Sequence, residues 1–437
     1  MNKIIHLVIL ALLALGASQF ILQHNRASLR DGIRVSIEVW DVPPRSLPLQ
    51  RKLWEETVRR FEELHPEIRI LGVERQYSPE EFITVMAGGK GPDVVKVWAG
   101  NIQTLASLGF LAPIDDYAAN WSQRDFVKPV LWESVSVGGR SYGVPADTYF
   151  LFLLYRKDLF SRAGLDPEAP PATWDEMVSC AKALTDRSRG RYGIGLVPKT
   201  WYFQDFVWQA GGEMVRIDEK GSVRAAFHEA PAVRALTFWK DLRWKHDVLQ
   251  PNLLTREDEL LHLFALGKVA MIFGVGNDLP PLLARYRMDP SSVGIAPLPA
   301  GPSGRAAHLG GQVYVMNTTS SKERKDAAWA FIEFELSPAN QLWKWNRMNE
   351  LSMPVFPGAF SSTTEVANLP EFAMVQDAIQ TARIEPHVSG WPQVRQLLDQ
   401  EPLQAVLLDP REDPATLLLA HARKADREIF SRWYPQE

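Results

Sequence analysis

The 437-residue chain is longer than the roughly 250–300 residues at which one hydrophobic core stops growing, so two cores or two lobes are expected. Its formal net charge of −4 excludes the basic field that nucleic acid or an acidic membrane surface would need. The single cysteine, Cys180, excludes an intrachain disulfide, and the nine His form no HExxH run and no His/Cys cluster, so neither a metal ion nor a cofactor is expected. Most of the 15 Trp read as core, although each also offers a flat apolar face with a polar N–H at its edge.

The N-terminus runs from Lys3 through Ile4–Leu15, apolar except for His6, to the small residues Gly16, Ala17 and Ser18. Charged, apolar, small is the order of a secretory signal, so residues 1–28 read as a signal peptide or an uncleaved membrane anchor. The apolar run stretches over residues 4–22, about 19 residues and just enough to span a bilayer. No Cys follows it directly, which excludes a lipid-modified N-terminus. Export is expected, to the periplasm or the outer face of the cytoplasmic membrane.

Ile33, Val35, Ile37 and Val39 then alternate with other residues up to Trp40, a strand by its period of two. A helix over about 49–64 follows, with Leu53, Trp54, Val58, Phe61 and Leu64 on one face between Pro48 and Pro66. Ile68–Val73 is a second strand, Ser78-Pro79-Glu80-Glu81 a capping box, and Asp93–Val97 a third strand before a helix capped by Asn101. Strand–helix alternation at this spacing predicts parallel βαβ units. The almost wholly apolar run Thr148–Tyr155 predicts a strand buried on both faces. Thr173-Trp174-Asp175-Glu176 is another capping box, Tyr192–Leu196 a strand, and Thr200 the cap of a helix reaching Gly211. Helices over about 231–242 and 257–266, the strand Val269–Phe273 and a long last helix opened by Asp413-Pro414 complete the pattern.

Four segments, read together, resemble the extracellular solute-binding proteins of ABC importers, and among them the large maltose-binding-protein-like (family 1) sugar-binding group. They are Phe61-Glu-Glu-Leu-His-Pro-Glu-Ile; Gly91-Pro-Asp-Val-Val, continued by Leu105–Tyr117; Tyr142-Gly-Val-Pro with Leu154–Phe160 and Thr173-Trp-Asp-Glu; and Gly267-Lys-Val-Ala-Met271 with Gly294–Pro299 and Gly310-Gly. The helix Ser321–Phe334 before Ser337-Pro338 extends the likeness, and Asn349–Val355 departs from the family's usual Gly-Tyr-Leu-Pro-Val. The resemblance implies an α/β fold, periplasmic-binding-protein-like, with two α/β lobes joined by hinge crossings. It places residues 31–143 plus 292–345 in the first lobe and 146–288 plus 350–437 in the second. The crossings would fall near Val144–Thr148, Gly294–Pro299 and Trp345–Val355, and the solute in the crevice at the strand C-termini.

A sugar asks for flat aromatics against its C–H faces and planar polar groups for its hydroxyls, presented by loops after strands. Trp40 and Asp41 follow the first strand, the Trp with the alternative of covering the sheet edge; Trp98 and Asn101 follow the third. Asp147 and Tyr149 stand at the first crossing, where an acidic residue between apolar strands needs a partner. Trp201, Asp205 and Trp208 share one helix face at i, i+4 and i+7, either as core or with one Trp free for the solute. Gly276 and Asn277 lie where the family, after its Gly-Lys-Val-Ala-Met motif, has a contact residue. Gly311 and Gln312 permit close backbone approach, Trp343 precedes the last crossing, and Arg383 completes the candidate set.

The expected function is therefore the substrate-binding component of an ABC importer, capturing a mono- or oligosaccharide and delivering it to the membrane permease subunits as a monomer. A polyamine or phosphorylated polyol as solute, or a tethered sugar sensor, are the alternatives on the same fold. A glycosidase is disfavoured: it needs two facing carboxylates about 5–9.5 Å apart, whereas Asp115-Asp116 are neighbours on a turn and Glu333 and Glu335 lie two apart on a helix.

Overall fold

The computed structural model describes residues 33–434 except 41, 46, 128, 148, 276–278 and 349–380. The signal-or-anchor segment 1–28 and the crossing expected at Trp345–Val355 therefore lie outside the described residues, apart from the helix backbone at 345–348. The principal strands in chain order are β1 (Val35–Trp40), β2 (Ile68–Val73), β3 (Val94–Trp98), β4 (Tyr149–Arg156), β5 (Tyr192–Gly195), β6 (Val269–Val275), β7 (Val293–Pro297), β8 (Ala307–Gly310), β9 (Gln312–Met316) and β10 (Ala382–Arg383). The principal helices are α1 (Pro48–Leu64), α2 (Pro79–Ala87), α3 (Ile102–Ser107), α4 (Trp174–Leu184), α5 (Thr200–Gln209), α6 (Ala230–Trp244), α7 (Glu257–Ala265), α8 (Lys322–Glu335), α9 (Pro338–Met348), α10 (Trp391–Gln400), α11 (Pro402–Leu408) and α12 (Pro414–Ala425).

These elements form two compact units, one from residues up to 96, 110–113 and 314–344, the other from 97–109, 114–313 and 345–437. In the first unit β1 pairs in parallel with β2 (Val35↔Ile68 to Trp40↔Val73) and on its other side with β3 (Val39↔Val94). Helix α1 buries Leu53, Thr57 and Phe61, an i, i+4, i+8 stripe, with Phe61 edge-on to Phe331 of α8 at 5.2 Å. Leu64, expected on that face, is instead 67% exposed. Thr57 takes a core position because its hydroxyl is satisfied locally, donating to the Leu53 carbonyl at 2.7 Å. Ser78 does not cap α2: its hydroxyl donates to the Glu80 carboxylate instead, at 3.0 Å.

The second unit is built on a sheet of order β10-β8-β4-β6-β5, with β7 sharing an edge of β4 beside β8. β4 is antiparallel to β6, β7 and β8, while β6 and β5 are parallel, so this sheet is mixed and corrects the expectation of purely parallel units. The reason is visible in the chain: more than a hundred residues separate β4 from β6, and so long an excursion can return in either direction. Both strands are apolar almost throughout because both faces are covered. β5 carries Gly193 against α4, where a Cβ would overlap the backbone of Ala181.

Residues 292–313, expected in the first lobe, belong to the second unit, and so do 114–143. For the former the cause is register: β7 lies antiparallel along β4 from Val293↔Arg156 to Pro297↔Phe152, so Gly294–Pro299 is mostly sheet and not a free crossing. Helix capping is partly as expected. Thr173 accepts from the Glu176 amide at 3.2 Å and Asp413 from the Thr416 amide at 2.9 Å. Thr200 is not a cap but the first residue of α5; its amide and hydroxyl both donate to the Asp399 carboxylate, at 2.5 and 2.7 Å, so a side chain from α10 closes this helix end. Asn101 is buried in a 3-10 turn and makes no capping bond to α3.

Candidate functional site

Within the second unit a cavity of about 370 Å³ opens where several chain segments end together. Trp98 and Gly100 come from the end of β3, Val275 from the end of β6, and His308–Gly311 from β8 and its exit. The first turn of α5 supplies Trp201 and Tyr202, preceded by Lys199, and Glu257 opens α7 opposite Lys199. Glu385 and His387 follow β10, and Arg395 and Asp399 are one turn apart on α10.

The aromatic part of the wall is ordered by contacts behind it. The Trp201 ring lies against His308, centroids 3.8 Å apart, and the His308 Nδ1 side is met by the Gln204 amide. Burial pushes the His308 imidazole down to about 4, with the Glu385 charge opposing, so it is neutral at physiological pH. Trp98 is 39% exposed and stands at the rim. Next to this wall, on α5, Asp205 is 1% exposed and neither of its oxygens makes a well-formed hydrogen bond. Burial pushes its carboxyl well above the usual range and outweighs the His308 backbone N–H, which pulls the other way.

The charged part of the wall is paired. Lys199 Nζ meets Glu257 at 2.9 Å. Glu385 is 6% exposed and accepts from Trp391 Nε1 at 2.9 Å and Arg395 Nη1 at 3.1 Å, both at Oε2. Burial would raise the Glu385 carboxyl, but the Arg395 guanidinium, His308 and the Trp391 N–H outweigh it and hold it below its ordinary value. Asp399 moves upward, because burial exceeds the pull of its Thr200 hydrogen bonds. His387 is pushed down by burial. Such an arrangement offers ring faces, fixed donors and fixed acceptors, with little net charge for a solute to neutralise.

Of the sequence candidates, Trp98, Trp201 and Gly311 line this cavity. Asp41, Gly276 and Asn277, and the side chain of Tyr149, lie outside the described residues. Trp40 is buried in the first unit, edge-on to Phe82 at 6.1 Å, with its Nε1 donating to Glu38 and Arg75 over its ring. Trp343 is covered by Arg60 at 4.2 Å. Asp147 accepts from the Gln312 backbone amide at 2.6 Å, so the partner its position requires is the chain itself. Trp208 is buried beneath Arg383, which forks onto Glu213 at 2.7 and 2.8 Å; Asn101 is buried outside the lining. Sequence reasoning missed His308, Glu385, Arg395 and Asp399. The i, i+4 pair Arg395–Asp399 and the tight Glu385-Pro386-His387 were the only local signals for them.

Among the described residues no group of three or more His, Cys, Asp or Glu could hold a metal ion, and no helix is long and apolar enough to cross a membrane. Residues 47–342 match the family of bacterial extracellular solute-binding proteins. A binding protein of Brucella abortus (strain 2308) is 26% identical over 356 residues, spanning 79% of this chain and 82% of that one. The sn-glycerol-3-phosphate-binding periplasmic protein UgpB of Salmonella typhimurium is 23% identical over 405 residues, 84% of this chain and 90% of its own. An ABC transporter solute-binding protein from Thermotoga lettingae, solved with α-D-tagatose bound, is similar with a TM-score of 0.78 at 25% identity, over 90% of this chain and 99% of that one. The α/β fold with two lobes, as in periplasmic solute-binding proteins, agrees with the resemblance read from the four segments.

Proposed function

Because the chain belongs to the family of bacterial extracellular solute-binding proteins, which hand small solutes to ABC permeases, we propose that its own solute is a neutral carbohydrate held in the second unit's cavity. The observation that carries this reading is the combination of Trp98, Trp201 and Tyr202 with charged side chains that are already paired. A volume of about 370 Å³ is at the small end of the roughly 300–1,000 Å³ typical of small-molecule sites, which favours a mono- or disaccharide. The sugar bound by the Thermotoga lettingae protein supports the same class.

A phosphorylated polyol is the second reading, supported by the name of the Salmonella relative. Its phosphate would bring about −1.5 to −2 charges toward a wall where Glu385 is buried and both Lys199 and Arg395 are already matched by carboxylates. The neutral sugar is preferred on that ground. The role is binding and not catalysis, a reading supported by the engagement of the buried wall carboxylates by Arg395, Trp391 and Thr200. The chain acts as an exported monomer, with residues 4–22 as a cleaved signal or an anchor at the outer face of the membrane.

Calorimetric titration with neutral mono- and disaccharides and with glycerol 3-phosphate tests this. At least one neutral sugar is expected to bind with a 1:1 endpoint and a saturable change in Trp fluorescence, which Trp201→Ala diminishes. Saturable binding of glycerol 3-phosphate with no response to any sugar would decide for the second reading.

A further inference from the structure

We propose that Glu385 and Arg395 form the specificity element of the cavity, reading two adjacent hydroxyls of a sugar ring; this rests on the cavity being the solute site. The two oxygens of the Glu385 carboxylate are unequally engaged. Glu385 Oε2 is filled by Trp391 Nε1 at 2.9 Å and Arg395 Nη1 at 3.1 Å. Among the described residues, Oε1 has only the long contact from Arg395 Nη1, 3.4 Å. A buried carboxylate oxygen has two acceptor positions, and leaving them unfilled is costly, so the site favours a solute group that donates there. The residue is 6% exposed and lines the cavity together with Gly100, against which Oε1 lies, so a donor held in the cavity can approach it.

Hydroxyl groups fit that need, and a phosphate dianion, which has no proton to give to Oε1, does not. Arg395 lines the cavity beside Glu385, so an acceptor and a planar cationic donor stand next to each other. Two neighbouring hydroxyls on a sugar ring match this pair, one donating to the carboxylate and one accepting from the guanidinium. The backbone enforces the position. Gly100 lies so close that a Cβ there would overlap Glu385 Oε1, so the glycine lets the carboxylate lie against the turn after β3. The hold is therefore built from three sides: the Gly100 backbone, the Trp391 N–H and Arg395 Nη1.

The experiment titrates the full chain with D-tagatose, maltose and glycerol 3-phosphate, comparing wild type with Glu385→Gln and Arg395→Lys. Glu385→Gln retains a carbonyl for Trp391 and the side-chain shape; Arg395→Lys retains the charge but not the fork. Each is expected to weaken sugar binding about 10- to 100-fold, the range for losing a hydrogen bond to a charged group. The double variant is expected to lose less than the product of the two single losses, because the pair acts as one unit. Melting curves identify a variant that has not folded, and Gly100→Ala then stands in, displacing the carboxylate without altering its chemistry. Wild-type binding of sugar with variants that fold and bind within 2-fold of it overturns this inference alone. Wild type that binds neither these nor any other neutral mono- or disaccharide overturns it together with the carbohydrate reading.

Discussion

Replacing Asp205 by asparagine raises the stability of the folded chain at pH 7.5 and removes part of its pH dependence. The carboxyl sits on α5 with 1% of its surface exposed and no well-formed hydrogen bond at either oxygen. A buried polar group left in that condition costs about 1–3 kcal/mol, and a charged one more. Burial raises the folded-state carboxyl well above the unfolded value of 3.8, so above pH 3.8 the folded state binds more protons than the unfolded one. Its contribution is thus fully present below pH 3.8 and is lost as the pH rises through the folded value. His308 acts with the opposite sign: its folded value of about 4 lies below 6.5, so its contribution is present above pH 6.5 and fades as the pH falls toward 4. Comparing wild type with Asp205→Asn cancels the His308 part. Urea unfolding is expected to show a gain for the variant at pH 7.5, about 1.4 kcal/mol for each unit by which burial raises the carboxyl, shrinking steadily toward pH 4. Parallel pH profiles for the two proteins would mean that Asp205 does not carry this pH dependence.

The residue has a further significance, because it belongs to the layer that supports the cavity. Asp205 lies one residue after Gln204, whose amide holds His308, and His308 in turn lies against Trp201. A gain in stability from a substitution behind a binding wall is a common form of conflict between folding and function. Titrating the same variant with the sugar that wild type binds shows whether the strain serves the wall: a loss of affinity alongside the gain in stability would place it there.

What the sequence made legible follows its periodicities. The alternation in Val35–Trp40 and the apolar run of β4 translate directly into strands, since side-chain direction in a strand is fixed by the pleat. The interleaving of the chain between two lobes came from motif order and not from any period, and its boundaries shifted where β7 paired with β4. Pairing direction is a long-range property, and no residue in Val293–Pro297 announces it. The cavity was the least legible part. Trp98 and Trp201 could be found because aromatic residues after a strand or at a helix start are few enough to examine one by one. Glu385 and Arg395 could not, because nothing in a ten-residue spacing distinguishes a buried, oriented ion pair from a solvated one. Asp147 shows the converse: its position demanded a partner, and the chain provided the Gln312 amide from 165 residues away.

Asp93 is the second position where a large effect is expected, a loss of about 3 kcal/mol for Asp93→Ala. Its carboxylate is 1% exposed at the start of β3 and gathers three donors: the Glu38 amide at 2.8 Å, the Ser320 hydroxyl at 2.5 Å and the Arg324 guanidinium. Removing one partner of a buried pair typically costs about 3–5 kcal/mol when the other charge is stranded. Arg324 is 44% exposed, however, and can rehydrate once Asp93 is gone, so the loss belongs at the lower end. It comes mainly from the Glu38 amide and Ser320 hydroxyl, which are left without an acceptor between β1, β3 and the segment before α8. The partition is testable by a double-mutant cycle. Asp93→Ala combined with Arg324→Met is expected to be no less stable than Asp93→Ala alone, because a rehydrated Arg324 no longer contributes. Additive losses in urea unfolding would instead show that Arg324 holds the first unit together through contacts other than Asp93, and a loss below about 0.5 kcal/mol for Asp93→Ala would remove the carboxylate from the structural role assigned to it.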